Sequence, residues 1–437
     1  MSAAASTRAA ALAVIGARWP ALLALLRQQE QAAAAIDLAV VAGAGGTLAA
    51  AGLQLGSRHD AAAESRVQAA TLPQADTLHL YGPALGTLAR HLLRSRPGLR
   101  RLEVHLMNTA LFLRLLGHVD ASDWLADPRL ALRAAGARDE VAHPYFAHPA
   151  ELALADDAAA PLRDRLRSAL DLPYVRRTFH GGQPLLASRL EENRPLIAAD
   201  RDVAELFGSA AGREAWVVGT GPTLEGHLDE LRRRGEPGLV PAPLLIAVDT
   251  ALRPLAAAGI QPDIAVSIDY RIEARHLLAP LARPCALVYA PVLEAALLRA
   301  WPGPRYCAYG ESAVYDAVRG NPARATLHEG GSVIHPAVDL AVRMGCRRVR
   351  LLGVDFCFPG GRTHAYWGAG ELRTELGSGR CWALDGHGAR VPTQPNFASY
   401  RVELERYIAR HPDVAFEQSS AASARIAGCT LRVGQTA

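Results

Sequence analysis

Val217-Val218-Gly219-Thr220-Gly221-Pro222-Thr223-Leu224 decides how the chain is read. An apolar run stops, two glycines permit a tight turn, and Pro222 suits the first turn of a following helix, where its missing N–H costs nothing. Thr223 adds a hydroxyl. Free amides and the positive dipole end of such a helix start point at whatever lies above the strand. The stretch therefore fits an anion site, and taken alone it fits an ordinary strand-to-helix turn equally well.

Outward from it, short apolar runs over 215–218, 244–248, 263–268, 286–289 and 348–352 are bounded by Gly, Pro or Asp. Helical spacing fills the gaps, notably over 223–234 and 332–344. Continuous apolar strands alternating with helices predict a parallel sheet covered on both faces. Two strands end in acids, Ala247-Val248-Asp249-Thr250 and Ser267-Ile268-Asp269. Both carboxylates fall at the carboxyl edge of such a sheet, where its ligands bind. One Asp there is often only a helix cap; two beside a glycine turn favour ligand contact. Gly330-Gly331-Ser332-Val333 is a second helix start of the same kind, and Arg350-Leu351-Leu352-Gly353-Val354-Asp355-Phe356 a further strand with an acidic tip. His364 follows in Arg362-Thr363-His364-Ala365-Tyr366-Trp367. A lone histidine in a polar loop is usually surface, but this one follows directly on the presumed site edge.

Before this core, apolar spacing predicts a helix over 9–31, then an Ala-rich segment without pattern to about residue 56. A strand over 77–80, the turn Gly82-Pro83-Ala84-Leu85-Gly86, a helix over 87–95, a strand over 102–106 and a helix over 109–118 open a second Rossmann-like unit. A nucleotide or S-adenosylmethionine site there lacks its usual acid, because Met107-Asn108 stands at the end of the second strand. Pro83 also removes an amide. The unit reads as a non-binding scaffold. The expected organisation is an α/β chain: a smaller Rossmann-like domain over 1–150, a helical connector over 151–213, and a Rossmann-like parallel-sheet core over 214–437 closing with a helix over 400–410 and polar turns.

Composition narrows the function. No apolar run reaches the roughly 18 residues of a membrane helix; the best, 9–17, runs into Trp19-Pro20 and reads as an amphipathic helix, so no membrane span and a cytoplasmic protein are expected. Six scattered cysteines form no CxxC pair, which speaks against a zinc or disulfide framework. A formal charge of +4 does not demand nucleic acid, and Arg232-Arg233-Arg234 reads as a solvated helix end. The sequence contains no lysine; its 47 basic residues are all arginine. A P-loop lysine and a lysine Schiff base are thereby excluded, and backbone amides, helix termini and arginine must hold any phosphate.

Gly219-Thr220-Gly221-Pro222-Thr223-Leu224, Ala247-Val248-Asp249-Thr250-Ala251-Leu252 and Gly259-Ile260-Gln261-Pro262-Asp263-Ile264 with Asp269 resemble the core of the motility accessory factor (Maf) family. Gly331-Ser332-Val333, Leu352-Gly353-Val354-Asp355-Phe356 and His364 continue the pattern in order over residues 216–367. Tyr81-Gly82-Pro83-Ala84-Leu85-Gly86 and Asp123-Trp124-Leu125 extend it weakly into the N-terminal unit. The family is associated with flagellin glycosylation by nonulosonic acids, and its core is similar to bacterial sialyltransferases that use CMP-sialic acid.

That resemblance implies inverting transfer from a CMP-linked acidic sugar to Ser or Thr of a protein such as flagellin. The helix starts at Gly219, Gly221, Pro222 and Thr223 and at Gly331 and Ser332 would hold phosphate and departing CMP. Asp249 and Asp269 would contact ribose or base, with Asp355 at the same edge. His364 would take the acceptor's proton as general base, its ordinary pKa near 6.5 suiting the task. In the related sialyltransferases the base lies farther along, which makes His387 in Asp385-Gly386-His387-Gly388 a rival. No cofactor or metal is required, although a carboxylate pair could chelate Mg²⁺. Two alternatives stay open: an archaeal-type pterin diphosphokinase using ATP and Mg²⁺, and a non-catalytic scaffold or chaperone for flagellar or surface proteins.

Overall fold

The computed structural model describes residues 3–179, 184–235, 242–365 and 381–432. The chain divides into two compact units, Met1–Arg167 and Ser168–Ala437. Among the described residues, no helix is long and apolar enough to cross a membrane.

In the first unit the run expected to be one N-terminal helix is three, Ala3–Arg18, Pro20–Gln28 and Glu30–Ala35, broken at Trp19-Pro20 and at Gln29. The patternless Ala-rich segment folds as a three-stranded antiparallel sheet, Leu38–Val41, Thr47–Ala50 and Leu53–Gln54. Thr77–Tyr81 and Arg101–Leu106 pair in parallel at the centre of a four-stranded sheet, flanked by Tyr145–Ala147 and Leu130–Ala134. The helices Thr87–Ser95 and Thr109–Leu115 follow the two central strands; Asn108 caps the second by accepting the Leu111 amide at 2.9 Å. The turn between the first strand and its helix is filled from within. Glu151, fully buried, accepts the Ala84 amide at 2.6 Å, and a Cβ at Gly86 would stand 2.6 Å from the Trp124 indole nitrogen.

The second unit is built on one nine-stranded sheet, parallel throughout. From Glu214–Val218 the chain steps in one direction through Leu244–Val248, Ile264–Ser267, Ala286–Tyr289 and Arg305–Cys307. It then crosses back to lay Arg348–Leu352 on the other flank of Glu214–Val218. These strands are nearly continuous apolar residues because both faces are covered. The segment read as a helical connector supplies the helix Pro184–Ala199 and also one edge strand, Arg201–Asp202. The C-terminal part contains the expected helix, as Pro395–Ala409, and two strands not foreseen, Ala415–Gln418 and Thr430–Leu431. The helix expected over 223–234 is instead a 3₁₀ turn, Pro222–His227, followed by a short α-helix, Leu228–Arg232. Gly226 within it weakens a regular helix there.

Candidate functional site

Strand order reverses between Glu214–Val218 and Arg348–Leu352, so the crevice beyond Val218 and Leu352 is the topological switch point of the sheet, where ligands of such folds bind. The two loops leaving these strands are tied together. Gly219 donates its amide to the Leu352 carbonyl at 2.8 Å and Gly221 to that of Gly353 at 2.7 Å. A Cβ at Gly219 would come within 2.6 Å of the Gly353 carbonyl oxygen, and one at Gly221 within 2.4 Å of Asp355 Oδ2. Both glycines are required by close approach.

Asp355, expected to face a ligand, is buried and turned onto the opposite loop. Its carboxylate accepts the Thr223 amide at 3.0 Å, the Thr223 hydroxyl at 2.5 Å and the Ser423 hydroxyl at 2.5 Å. Burial pushes its pKa up, and the three donors work against that rise. The Thr223 amide, read as an anion donor, is therefore engaged by the chain's own carboxylate, and Pro222 is buried beside it. Phe356, next in sequence, has φ +49°, a conformation that a bulky residue adopts only when its surroundings enforce it. The Thr393 hydroxyl holds its carbonyl at 2.7 Å.

The two acids read from neighbouring strand ends differ in setting. Asp269 is partly exposed, accepts the Arg271 amide at 2.9 Å and lies 3.5 Å from the Arg271 guanidinium. Asp249 is buried beneath the rim, accepting the Ser267 hydroxyl at 2.7 Å and its neighbour's amide, Thr250 N–H, at 2.7 Å. Burial, aided by the charge of Asp269, pushes Asp249 up to about 6 against those two hydrogen bonds. Its folded pKa stands above the ordinary carboxylate value. The stability it contributes is therefore complete below about pH 4 and is lost as pH rises through 6. Asn can accept the Thr250 amide and donate to Ser267. Asp249→Asn is expected to raise unfolding stability by about 3 kcal/mol at pH 8, with the gain vanishing near pH 4. Urea unfolding at the two pH values checks this; a gain independent of pH would contradict it.

The second helix start is shaped by two residues that carried no signal in the sequence. His335, buried in the first turn of Ile334–Arg343, donates through Nε2 to the Tyr400 carbonyl at 3.0 Å, so its Nδ1 accepts the Ser332 amide at 3.2 Å. Burial holds its pKa down at about 4, which keeps it neutral. Gly331, at φ +90°, lies under Tyr400, whose ring carbon would be 2.6 Å from a Cβ there. Tyr400 feels the charges of Arg271 and Asp269. Gly331, Ser332, Tyr400, Asp269 and Arg271 thus form one neighbourhood. Ile334 reaches Gly219, 3.2 Å from the place of a Cβ, which joins that neighbourhood to the first loop. The two glycines before His335 were the only available hint, since a Cβ at Gly330 would fall 2.4 Å from the His335 ring.

His364 arrives at the same edge through its neighbour. Ala365 donates its amide to the Thr220 carbonyl at 2.8 Å, and the Thr220 hydroxyl meets that of Thr250 at 2.6 Å. Tyr366 and Trp367 lie outside the described residues. His387 is exposed at the tip of the hairpin formed by Trp382–Leu384 and Arg390–Pro392, its amide on Asp385 at 2.9 Å. Gly386 beside it packs on Ala421 and Leu431, toward the outer strands of the sheet. Burial pushes the Cys285 and Cys307 thiols up to about 12, which leaves them protonated at neutral pH.

Residues 188–361 match the family profile described as 6-hydroxymethylpterin diphosphokinase MptE-like. The matched stretch is 174 of the chain's 437 residues. It includes the strands from Arg201–Asp202 to Arg348–Leu352 and both glycine helix starts, so the switch-point crevice lies largely within it. Tyr400, Ser423 and His364, which complete the neighbourhood, follow the MptE-like match in sequence. Among solved structures, the chain is similar to the Maf glycosyltransferase from Magnetospirillum magneticum AMB-1, at 15% identity and a TM-score of 0.43, over 97% of this chain and 76% of that one. No curated protein matches the sequence.

Proposed function

We propose that the chain is a glycosyltransferase that moves a nonulosonic, sialic-acid-like sugar from a CMP-activated donor to a Ser or Thr hydroxyl of a protein, flagellin being the first acceptor to test. The observation that carries this reading is the joining of Ser332, Asp269 and the His364 loop at one carboxyl edge of the MptE-like sheet, in the order of motifs that resembles the Maf core. Because Asp355 engages both the amide and the hydroxyl of Thr223, the phosphate is assigned to the Gly331-Ser332 start of the ten-residue helix, where His335 holds the Ser332 amide and the Ser332 hydroxyl is the side-chain donor, with Arg271 as the nearby cation. Thr250 and Asp269 face the nucleoside, and Asp249 fixes the rim from below. His364 accepts the proton of the acceptor hydroxyl as that oxygen attacks the anomeric carbon, and the sugar–phosphate bond breaks to release CMP. The separation of charge is met by the helix start rather than by lysine, which the sequence lacks.

The name of the matched family, 6-hydroxymethylpterin diphosphokinase MptE-like, favours one competing reading, diphosphoryl transfer from ATP with Mg²⁺. Asp249 and Asp355 are both buried and already hydrogen-bonded, a poor start for chelating a metal at this edge. Thermal melting with CMP, CDP or ATP, with and without Mg²⁺, separates the readings. CMP alone at a hundredfold excess over its Kd should stabilise by about 3 kcal/mol, and Ser332→Ala should remove most of that gain. A shift with ATP and Mg²⁺ only would select the diphosphokinase, and silence from every nucleotide would select a scaffold.

A further inference from the structure

The first unit holds a group of side chains that the proposed transfer does not use. Thr77–Tyr81 and Arg101–Leu106 run in parallel with His79 opposite Glu103 and Tyr81 opposite His105. Leu78, Leu80, Leu102 and Val104 alternate with these four residues and pack into the core. The polar residues therefore share one face of the sheet, unusual content for the centre of a parallel sheet, which is ordinarily apolar on both faces.

We propose that His79, Glu103 and His105 bind a divalent transition-metal ion of the zinc type. Nδ1 of His79, Nε2 of His105 and Oε2 of Glu103 converge with separations of 3.4 Å between the nitrogens, 3.5 Å from His79 to the carboxylate and 3.9 Å from His105 to it. All three separations exceed the usual hydrogen-bond length of about 2.7–3.2 Å. They enclose a point about 2.1 Å from each of the three atoms, the length of a zinc bond to histidine or carboxylate. Two imidazoles and a carboxylate are ordinary zinc ligands, and three protein ligands leave a fourth position for water. Glu103 is the partly exposed member, which places that opening on its side of the group.

The surroundings hold the three ligands in place, as outer partners do in metal sites. The other Glu103 oxygen takes Arg101 at 2.6 Å, so the carboxylate offers a single oxygen inward. The Tyr81 ring stacks on His105 with centroids 4.5 Å apart, and its hydroxyl is fixed by the Ala142 amide at 2.8 Å. Arg133 lies opposite His105 on the next strand and would oppose a cation, but both of its contacts with Asp139, at 3.0 Å, answer its charge. Nothing in this assignment depends on the reaction proposed for the MptE-like domain.

The test uses the full chain stripped with a chelator, titrated with Zn²⁺ by calorimetry and with Co²⁺ by visible absorption. One equivalent per chain and the intense bands of four-coordinate cobalt are expected. Glu103→Gln and His79→Gln should each weaken binding at least tenfold and abolish those bands, with circular dichroism unchanged. The buried His105 is left intact, and two independent variants guard against loss of fold. A wild-type chain that binds neither ion, or variants that bind as tightly as wild type, would overturn the site.

Discussion

His364→Ala is expected to lower the rate of sugar transfer by about 10²–10⁴-fold, the usual range for a positioned general base, while CMP still stabilises the protein. Ala365 is the residue that ties this loop to the sheet, through its backbone amide on Thr220, and that bond does not depend on the neighbouring side chain. Removing the imidazole should therefore leave the loop's backbone anchor in place while the proton acceptor is lost. His387→Ala supplies the contrast. That residue sits exposed at a hairpin tip whose turn is held by Asp385, not by the imidazole, so its loss should leave turnover within about twofold, as for most exposed substitutions. Steady-state release of CMP from a CMP-linked nonulosonic acid checks both. Full activity in the His364 variant, or collapse in the His387 variant, would exchange their roles.

Asp355→Ala should cost the second unit about 3–5 kcal/mol, the range for removing one partner from a buried charged network. Three donors from two distant parts of the chain, the Thr223 amide and hydroxyl and the Ser423 hydroxyl, would lose their shared acceptor. The Gly221–Gly353 contact lies beside this clasp, so the whole crevice should loosen. Asp355→Asn keeps one acceptor oxygen and is expected to fall between alanine and wild type. Urea unfolding measures the series; a loss below about 1 kcal/mol for alanine would mean that water replaces the carboxylate and that the clasp contributes little.

Much of the architecture was legible because its signals are local. Apolar runs ending in Gly or Asp placed the strands at Val218, Val248 and Leu352, and Gly82 to Thr87 marked the turn of the smaller unit. Short strands gave no signal: Arg201–Asp202 and Thr430–Leu431 have two residues each and no periodicity to read. The site was only half legible for a different reason. Asp355 looked like a free acid at a strand tip, and its partner Thr223 lies 132 residues away. Asp249 and Asp269 looked alike, yet the packing of Ser267 and Thr250 buries one and leaves the other at the rim. His335 and Tyr400 meet across 65 residues, and only the glycines they press against hinted at that contact. The convergence of His79, Glu103 and His105 depends on strand register, which period-two alternation suggests only after the two strands are known to be neighbours.

The brevity of the outermost strands has a consequence for how the protein behaves at high concentration. A long parallel sheet exposes rows of unpaired amides and carbonyls at its two margins, and another chain can add itself there. Among the described residues the outermost strands are two residues long, one of them Arg201-Asp202 with Arg201 exposed and paired to Glu205, the other followed at once by Arg432. An incoming strand would find few sites to register and a charge beside each, which disfavours the addition of a further chain to the sheet that builds the crevice.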